Sequence, residues 1–121
     1  KKVVMIDDSI VRGTTSQRIV SLLREAGAKE VHVRISSPQI KNPCYYGIDM
    51  STRKELFAAN NSLEEMRRLM GADSLQFLST EGMEQTIVRD KTSNQGICAA
   101  CMTGNYPVLE EDNCKAFYRK Y

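Results

Sequence analysis

Val3-Val4-Met5-Ile6-Asp7-Asp8-Ser9-Ile10-Val11-Arg12-Gly13-Thr14-Thr15 decides how this chain folds and what it can bind. The four apolar residues Val3 to Ile6 read as a buried strand. Two adjacent carboxylates stand at its carboxyl end. A short polar loop with one glycine and two threonines then opens into a helix. In open parallel sheets, ligands bind outside the carboxyl ends of the strands. A helix N-terminus offers free N–H groups and partial positive charge, which suits phosphate. Carboxylates beside it accept hydrogen bonds from sugar hydroxyls or hold a hydrated divalent cation. The run therefore predicts a site for a phosphorylated sugar. Asp7 and Asp8 are the candidates for the ribose hydroxyls, directly or through Mg²⁺. The loop Ser9, Ile10, Val11, Arg12, Gly13, Thr14 and Thr15 wraps the phosphate. Gly13 permits close backbone approach, and the threonine hydroxyls donate to phosphate oxygens while one of them caps the helix. Arg12 either touches the phosphate or is a solvated surface arginine.

Outward from this run, strand and helix patterns alternate. Ile19, Leu22, Leu23 and Ala26 recur at helical spacing over 16–26, and Gly27 is placed to end that helix. Val31, Val33 and Ile35 alternate with polar residues as a second strand, with His32 on its opposite face as a packed or solvent-facing side chain. Strand, helix and strand form a βαβ unit, so the two strands are expected to be parallel. Pro38 and Pro43 bracket a loop carrying Cys44 and Tyr45-Tyr46-Gly47. Thr52 with Glu55, and Ser62 with Glu65, are capping-box patterns. Leu63, Met66, Leu69 and Met70 form the stripe of the helix after Ser62, closed by Gly71. Ser74 to Leu78 reads as a short strand, and Thr80 as the cap of a helix ending near Val88. The predicted organisation is an α/β, parallel-sheet unit over 1–88 and an irregular cysteine-bearing tail over 89–121.

The 121 residues favour one compact domain. A net charge of +2 beside 26% charged residues gives no electrostatic case for nucleic acid or a membrane surface as partner. No apolar stretch approaches the roughly 20 residues of a membrane span. The chain starts without Met, on the doorstep of a strand, which suggests a segment of something longer. Strand–helix alternation supplies a core without disulfides, so the four cysteines imply a reducing, cytoplasmic setting. Cys98-Ala99-Ala100-Cys101 fits zinc, an iron–sulfur cluster, a redox dithiol or two buried thiols, and Cys44 and Cys114 could complete a zinc set by count.

The strand, acidic pair and small-residue loop resemble the phosphoribosylpyrophosphate motif of type I phosphoribosyltransferases. Asp7 to Thr15 is similar in detail to the form found in amidophosphoribosyltransferases. Arg24-Glu25-Ala26-Gly27-Ala28, Tyr46-Gly47-Ile48-Asp49-Met50 and Gly71-Ala72-Asp73-Ser74-Leu75 continue the likeness in register, weakening after Pro107. The resemblance implies the C-terminal part of a type I phosphoribosyltransferase fold. It implies formation of phosphoribosylamine from phosphoribosylpyrophosphate and glutamine-derived ammonia, the first committed step of purine biosynthesis. Asp7 and Asp8 then face ribose and Mg²⁺, the loop 9–15 holds the 5′-phosphate, and purine nucleotides inhibit through the same loop. In the iron–sulfur, Bacillus-like type, Cys44, Cys98 and Cys101 match three ligands of a [4Fe–4S] cluster. The fourth ligand lies upstream, Cys114 falls outside the motif, and the cluster's role is structural. Upstream glutaminase and phosphoribosyltransferase segments and a homo-oligomer are the further implied partners. No catalytic residue is assigned within the segment, which is expected to be inactive alone. Two alternatives remain: a purine-responsive regulator that binds phosphoribosylpyrophosphate without catalysis, against which the cysteines count, and a base-salvage phosphoribosyltransferase, against which the tail counts.

Overall fold

The computed structural model describes residues 1–50, 52–87 and 96–107. The expected boundary at 88/89, Cys114 and most of the tail lie outside the described residues. Three strands form one parallel sheet in the order β1 (Lys2–Asp7), β2 (Glu30–Ile35), β3 (Ser74–Phe77). Register pairs Val3 with Val31, Asp7 with Ile35 and Val33 with Leu75. All three carboxyl ends therefore lie along one edge of the sheet, as the βαβ expectation required. α1 (Thr14–Glu25) connects β1 to β2. A single 3₁₀ turn (Arg53–Glu55), α2 (Phe57–Asn60) and α3 (Leu63–Met70) precede β3, and α4 (Thr80–Ile87) and α5 (Ala100–Thr103) follow it. No helix among the described residues is long and apolar enough to cross a membrane.

The main core joins Met5, Val31, Val33, Ile35 and Leu75 of the sheet to Val20 of α1 and Met66 and Met70 of α3. Its position corrects two expected stripes. In α1 the buried apolar residue is Val20, flanked by the partly buried Ile19 and Leu23, whereas Leu22 and Ala26 are exposed. In α3 Met66 and Met70 are buried and Leu69 is exposed. The strand β1 is also not buried on both sides. Val4 and Ile6 are 61% and 75% exposed; they share a sheet face with His32, Arg34, Ser74 and Gln76, over which no described helix packs. Parallel sheets are ordinarily covered on both faces, so the open face explains why an apolar run reads as fully buried when only half of it is. His32 is a structural link there: its ring nitrogens meet Ser74 Oγ at 2.9 Å and Glu30 Oε2 at 3.1 Å.

Helix ends follow local chemistry where tertiary packing permits. The Ser62 hydroxyl accepts from Glu65 N–H at 3.3 Å while Glu65 accepts from Ser62 N–H at 2.7 Å, completing the expected box. Gly71 ends α3 in the left-handed conformation, φ 69°. Gly27 (φ 92°) follows α1, and the N–H groups of Gly27 and Ala28 donate back to Arg24 and Leu23. The Thr52–Glu55 box does not form. Leu56 leaves helical dihedrals after one 3₁₀ turn (φ −78°, ψ 116°) and plunges into a second apolar cluster. Thr80 is not the cap of α4 either: the Ser79 hydroxyl, one residue earlier, accepts from Gly82 N–H.

A carboxylate ties α1, β2 and β3 together below the sheet. Asp73 accepts from Val31 N–H at 2.7 Å and from Arg24 at 2.6 Å. These bonds, the backbone one first, hold its carboxyl below the ordinary carboxylate range. A lowered folded value contributes stability above the ordinary carboxylate pKa, about 3.9. That contribution disappears as pH falls through the folded value. Asp73→Asn is expected to flatten part of the acid limb below about pH 4, while Glu30, Glu64 and Glu65, also lowered, retain the rest. Urea midpoints measured from pH 6 to pH 2 test this: parallel profiles for both proteins would show that Asp73 makes no linked contribution.

Candidate functional site

Strand β1 ends in the carboxylate pair, and the chain between it and α1 folds back over the carboxyl edge of the sheet. Residues 7–16 together line an open cavity of about 320 Å³, at the lower end of the range for small-molecule sites. Asp7, half-buried, accepts from Asp8 N–H at 3.0 Å through Oδ1 and from the Ser16 hydroxyl at 3.4 Å through Oδ2. Asp8 is exposed and accepts from Ser9 N–H at 2.7 Å. The two carboxylates are thus held differently, one leaning on the start of α1 and one on the loop. Ser9, Val11, Arg12, Gly13, Thr14 and Thr15 all line the same cavity.

The loop is not merely a polar wrap. Ile10 is 2% exposed and belongs to the main core, which fixes the loop midway. Neither threonine caps α1. Gly13 occupies the N-cap position in the left-handed conformation (φ 78°) with no side-chain cap bond, and Thr14 and Thr15 form the exposed first turn. The helix N-terminus therefore opens on the cavity without a side chain of its own on its free N–H groups, the arrangement that favours an anion. The Arg12 guanidinium, half exposed at the same cavity, donates to Glu55 Oε2 at 3.0 Å.

Residues 55–57 brace this loop. Besides the Glu55–Arg12 pair, Phe57 N–H donates to Val11 C=O at 2.8 Å. A Cβ placed on Gly13 would stand 2.7 Å from the Phe57 ring. Sequence reasoning missed Ser16, Glu55 and Phe57. Ser16 could have been noticed as a small polar residue one turn into the helix beneath Asp7. The other two meet the loop across more than 40 positions of sequence, with no local signal.

The thiols gather beside the same brace. Ile40, Met50 and Leu56 form a second apolar cluster, with Val11, Ala59, Cys44 and Cys101 packed against it. Cys101 C=O accepts from Lys41 and Asn42 N–H, both at 2.9 Å, which stitches α5 to the Pro38–Pro43 loop. Cys44 Sγ accepts from Tyr46 N–H at 3.5 Å. The Tyr106 hydroxyl donates to Pro43 C=O at 2.7 Å, and its ring lies 4.9 Å from that of Tyr45. Burial first, then the nearby Cys44 and Cys98, push the Cys101 thiol up. Burial likewise pushes Tyr106 up to about 12. Cys44, Cys98 and Cys101 are free thiols. No three His, Cys, Asp or Glu side chains among the described residues converge on one ion. Thiols are the donor type an iron–sulfur cluster takes, four at a time, but Cys44, Cys98 and Cys101 are not drawn around one point among the described residues. The acidic pair fits Mg²⁺, which is held by one or two carboxylates and completed by water and substrate oxygens.

No family model matches the chain. It is 63% identical over 108 residues to the amidophosphoribosyltransferase of Bacillus subtilis, a match covering 88% of the chain and 23% of that protein. It is 56% identical over 117 residues to that of Archaeoglobus fulgidus, covering 94% of the chain and 25% of the relative. Among solved structures it superposes on glutamine phosphoribosylpyrophosphate amidotransferase from B. subtilis, complexed with ADP and GMP, with TM-score 0.81 and 60% identity over 92% of the chain and 25% of that structure. The chain thus spans about a quarter of the length of these relatives. Identity this high over most of the chain, on a matching parallel α/β fold, leads to one assignment: the chain belongs to the amidophosphoribosyltransferase family and corresponds to the C-terminal part of its members.

Proposed function

We propose that this chain is part of an enzyme that makes phosphoribosylamine from phosphoribosylpyrophosphate and glutamine-derived ammonia, opening purine biosynthesis in the cytoplasm. The observation that carries the reading is the cavity that residues 7–16 line together, with paired carboxylates on one side and a helix N-terminus without a side-chain cap on the other. Loop 9–15 holds the 5′-phosphate through backbone N–H groups and the Thr14 and Thr15 hydroxyls. Asp7 and Asp8 orient the ribose through its hydroxyls. Mg²⁺, when held there with the substrate, neutralises charge on the departing pyrophosphate. As the C–O bond to pyrophosphate breaks, positive charge develops on the sugar ring, and the two carboxylates ease it. Ammonia forms the new C–N bond on the opposite face, inverting the anomeric carbon. No side chain of this segment acts as nucleophile; its contribution is position and charge.

Cys44, Cys98 and Cys101 supply three thiolates to a [4Fe–4S] cluster that pins α5 to the Pro38–Pro43 loop, the fourth ligand coming from an upstream segment. The upstream glutaminase and phosphoribosyltransferase segments and further copies of the protein complete the enzyme. Because ADP and GMP occupy the B. subtilis structure, purine nucleotides are the proposed regulators, their 5′-phosphate taking the same loop.

The test uses the complete gene product that carries this chain, purified without oxygen. It is expected to consume phosphoribosylpyrophosphate in the presence of ammonia and Mg²⁺. Removing one charged contact worth about 1.5–3 kcal/mol should lower kcat/KM about ten- to a hundredfold in Asp7→Asn and in Asp8→Asn. Iron and sulfide analysis should give four of each per chain, falling in Cys101→Ser. Full activity in both aspartate variants would remove the sugar site, and zinc in place of iron would remove the cluster.

A further inference from the structure

We propose that Phe57, with Glu55 beside it, is a positioning residue for the phosphate loop, setting the Val11–Gly13 bend from behind without touching the ligand. The inference rests on the reading of loop 9–15 as the 5′-phosphate site.

Three independent contacts converge on three consecutive loop residues. The Phe57 N–H holds the carbonyl of Val11 at 2.8 Å. Glu55 holds the guanidinium of Arg12 at 3.0 Å. The Phe57 ring fills the space where Gly13 would carry a Cβ. The bend lies between two fixed points, Ile10 in the main core and Ser16 beneath Asp7. The bend's other supports are the packing of Val11 on the second apolar cluster and the Gln17 N–H, which donates to the Gly13 carbonyl at 3.0 Å. A loop that binds through backbone N–H groups depends on where those groups point, and displacements on the order of an ångström are costly. Phe57 is itself immobile. It is buried, it follows Leu56 in the second apolar cluster, and Asn61 Nδ2 donates to its carbonyl at 2.9 Å. The irregular Leu56 that defeats the Thr52–Glu55 capping box is what delivers Phe57 to Gly13. The Arg12–Glu55 pair is half exposed on both sides, so its role is orientation of the arginine rather than stability.

The two side chains make separable predictions in the complete gene product. Phe57→Leu keeps an apolar side chain but loses the flat ring. It should raise KM for phosphoribosylpyrophosphate and Kd for GMP about tenfold, with kcat within about threefold. Glu55→Gln lies on the surface and leaves the fold unaffected, yet should raise both constants by about threefold. Val31→Ala, in the same main core but remote from the bend, is the comparison. It should lower the melting temperature without moving KM or Kd. If Phe57→Leu and Val31→Ala both lower the melting temperature and neither moves KM or Kd, Phe57 is ordinary core and the proposal fails. If the unmodified protein binds neither phosphoribosylpyrophosphate nor GMP, the loop itself has been misread, a different failure visible before any variant is made.

Discussion

Gly13→Val is expected to cost ligand affinity more than any other single change in this segment. Position 13 is held at φ 78°, and a side chain there in the left-handed region costs roughly 1–3 kcal/mol, more for a branched one. The second penalty is steric. The new Cβ would approach Cδ1 and Cγ of Phe57 at 2.7 and 2.8 Å, and the ring is buried in the core. Relief must come from the loop, by moving the free N–H groups at the start of α1 away from the cavity. Combining backbone strain with misplacement, GMP and phosphoribosylpyrophosphate should bind about a hundredfold more weakly. Thr14→Ala is the internal comparison for stability, because Thr14 caps nothing; its unfolding free energy should change by less than about 0.5 kcal/mol. Titration calorimetry with GMP decides the matter, and a Gly13→Val protein with native affinity would mean that the bend does not set the phosphate contacts.

The largest effect on stability is expected from Met66→Ala. Met66 is 0% exposed and stands between α1, α3 and the sheet. Truncating a buried methionine to alanine removes its transfer energy and leaves a cavity, together costing about 2–5 kcal/mol. Against a typical domain stability of about 5–15 kcal/mol, that is a large share. Leu69→Ala, three residues along the same helix, should cost no more than about 0.5 kcal/mol, because Leu69 is more than half exposed. Paired urea titrations read the difference as a midpoint shift of about 1 M or more for Met66→Ala alone. Equal shifts would place the buried face of α3 elsewhere.

That pair of residues also shows where the sequence runs out. Met66 and Leu69 are both apolar and both fit a helical repeat, so periodicity names the helix but cannot fix its rotation. The same holds for Val20 and Leu22 in α1. Alternating apolar residues fix β2, and the Ser62–Glu65 box and Gly71 fix both ends of α3, because those signals act within one turn of chain. Thr52–Glu55 carries the same local pattern and fails, because burying Leu56 in a distant cluster outweighs another turn of helix. At the site, the carboxylate pair and Gly13 were legible from their setting between strand and helix. Their supports were not: Glu55 and Phe57 are distant in sequence and become neighbours only through the tertiary path of the chain. The open face of β1 was equally hidden, since a run of valine and isoleucine looks alike whether one or both of its sides are covered.

Ile40, Met50 and Leu56 carry Val11 and also Cys44 and Cys101. The proposed sugar loop and the proposed cluster ligands thus share one footing of three apolar side chains. Residues in contact through a common packing unit do not respond independently. Any lesion introduced at Cys44 or Cys101 is consequently also a lesion to the packing beneath Val11. Any turnover lost on altering Cys44 or Cys101 would therefore measure two things at once, and only a double-variant cycle that includes Leu56 can separate the share of the proposed cluster from that of the shared packing.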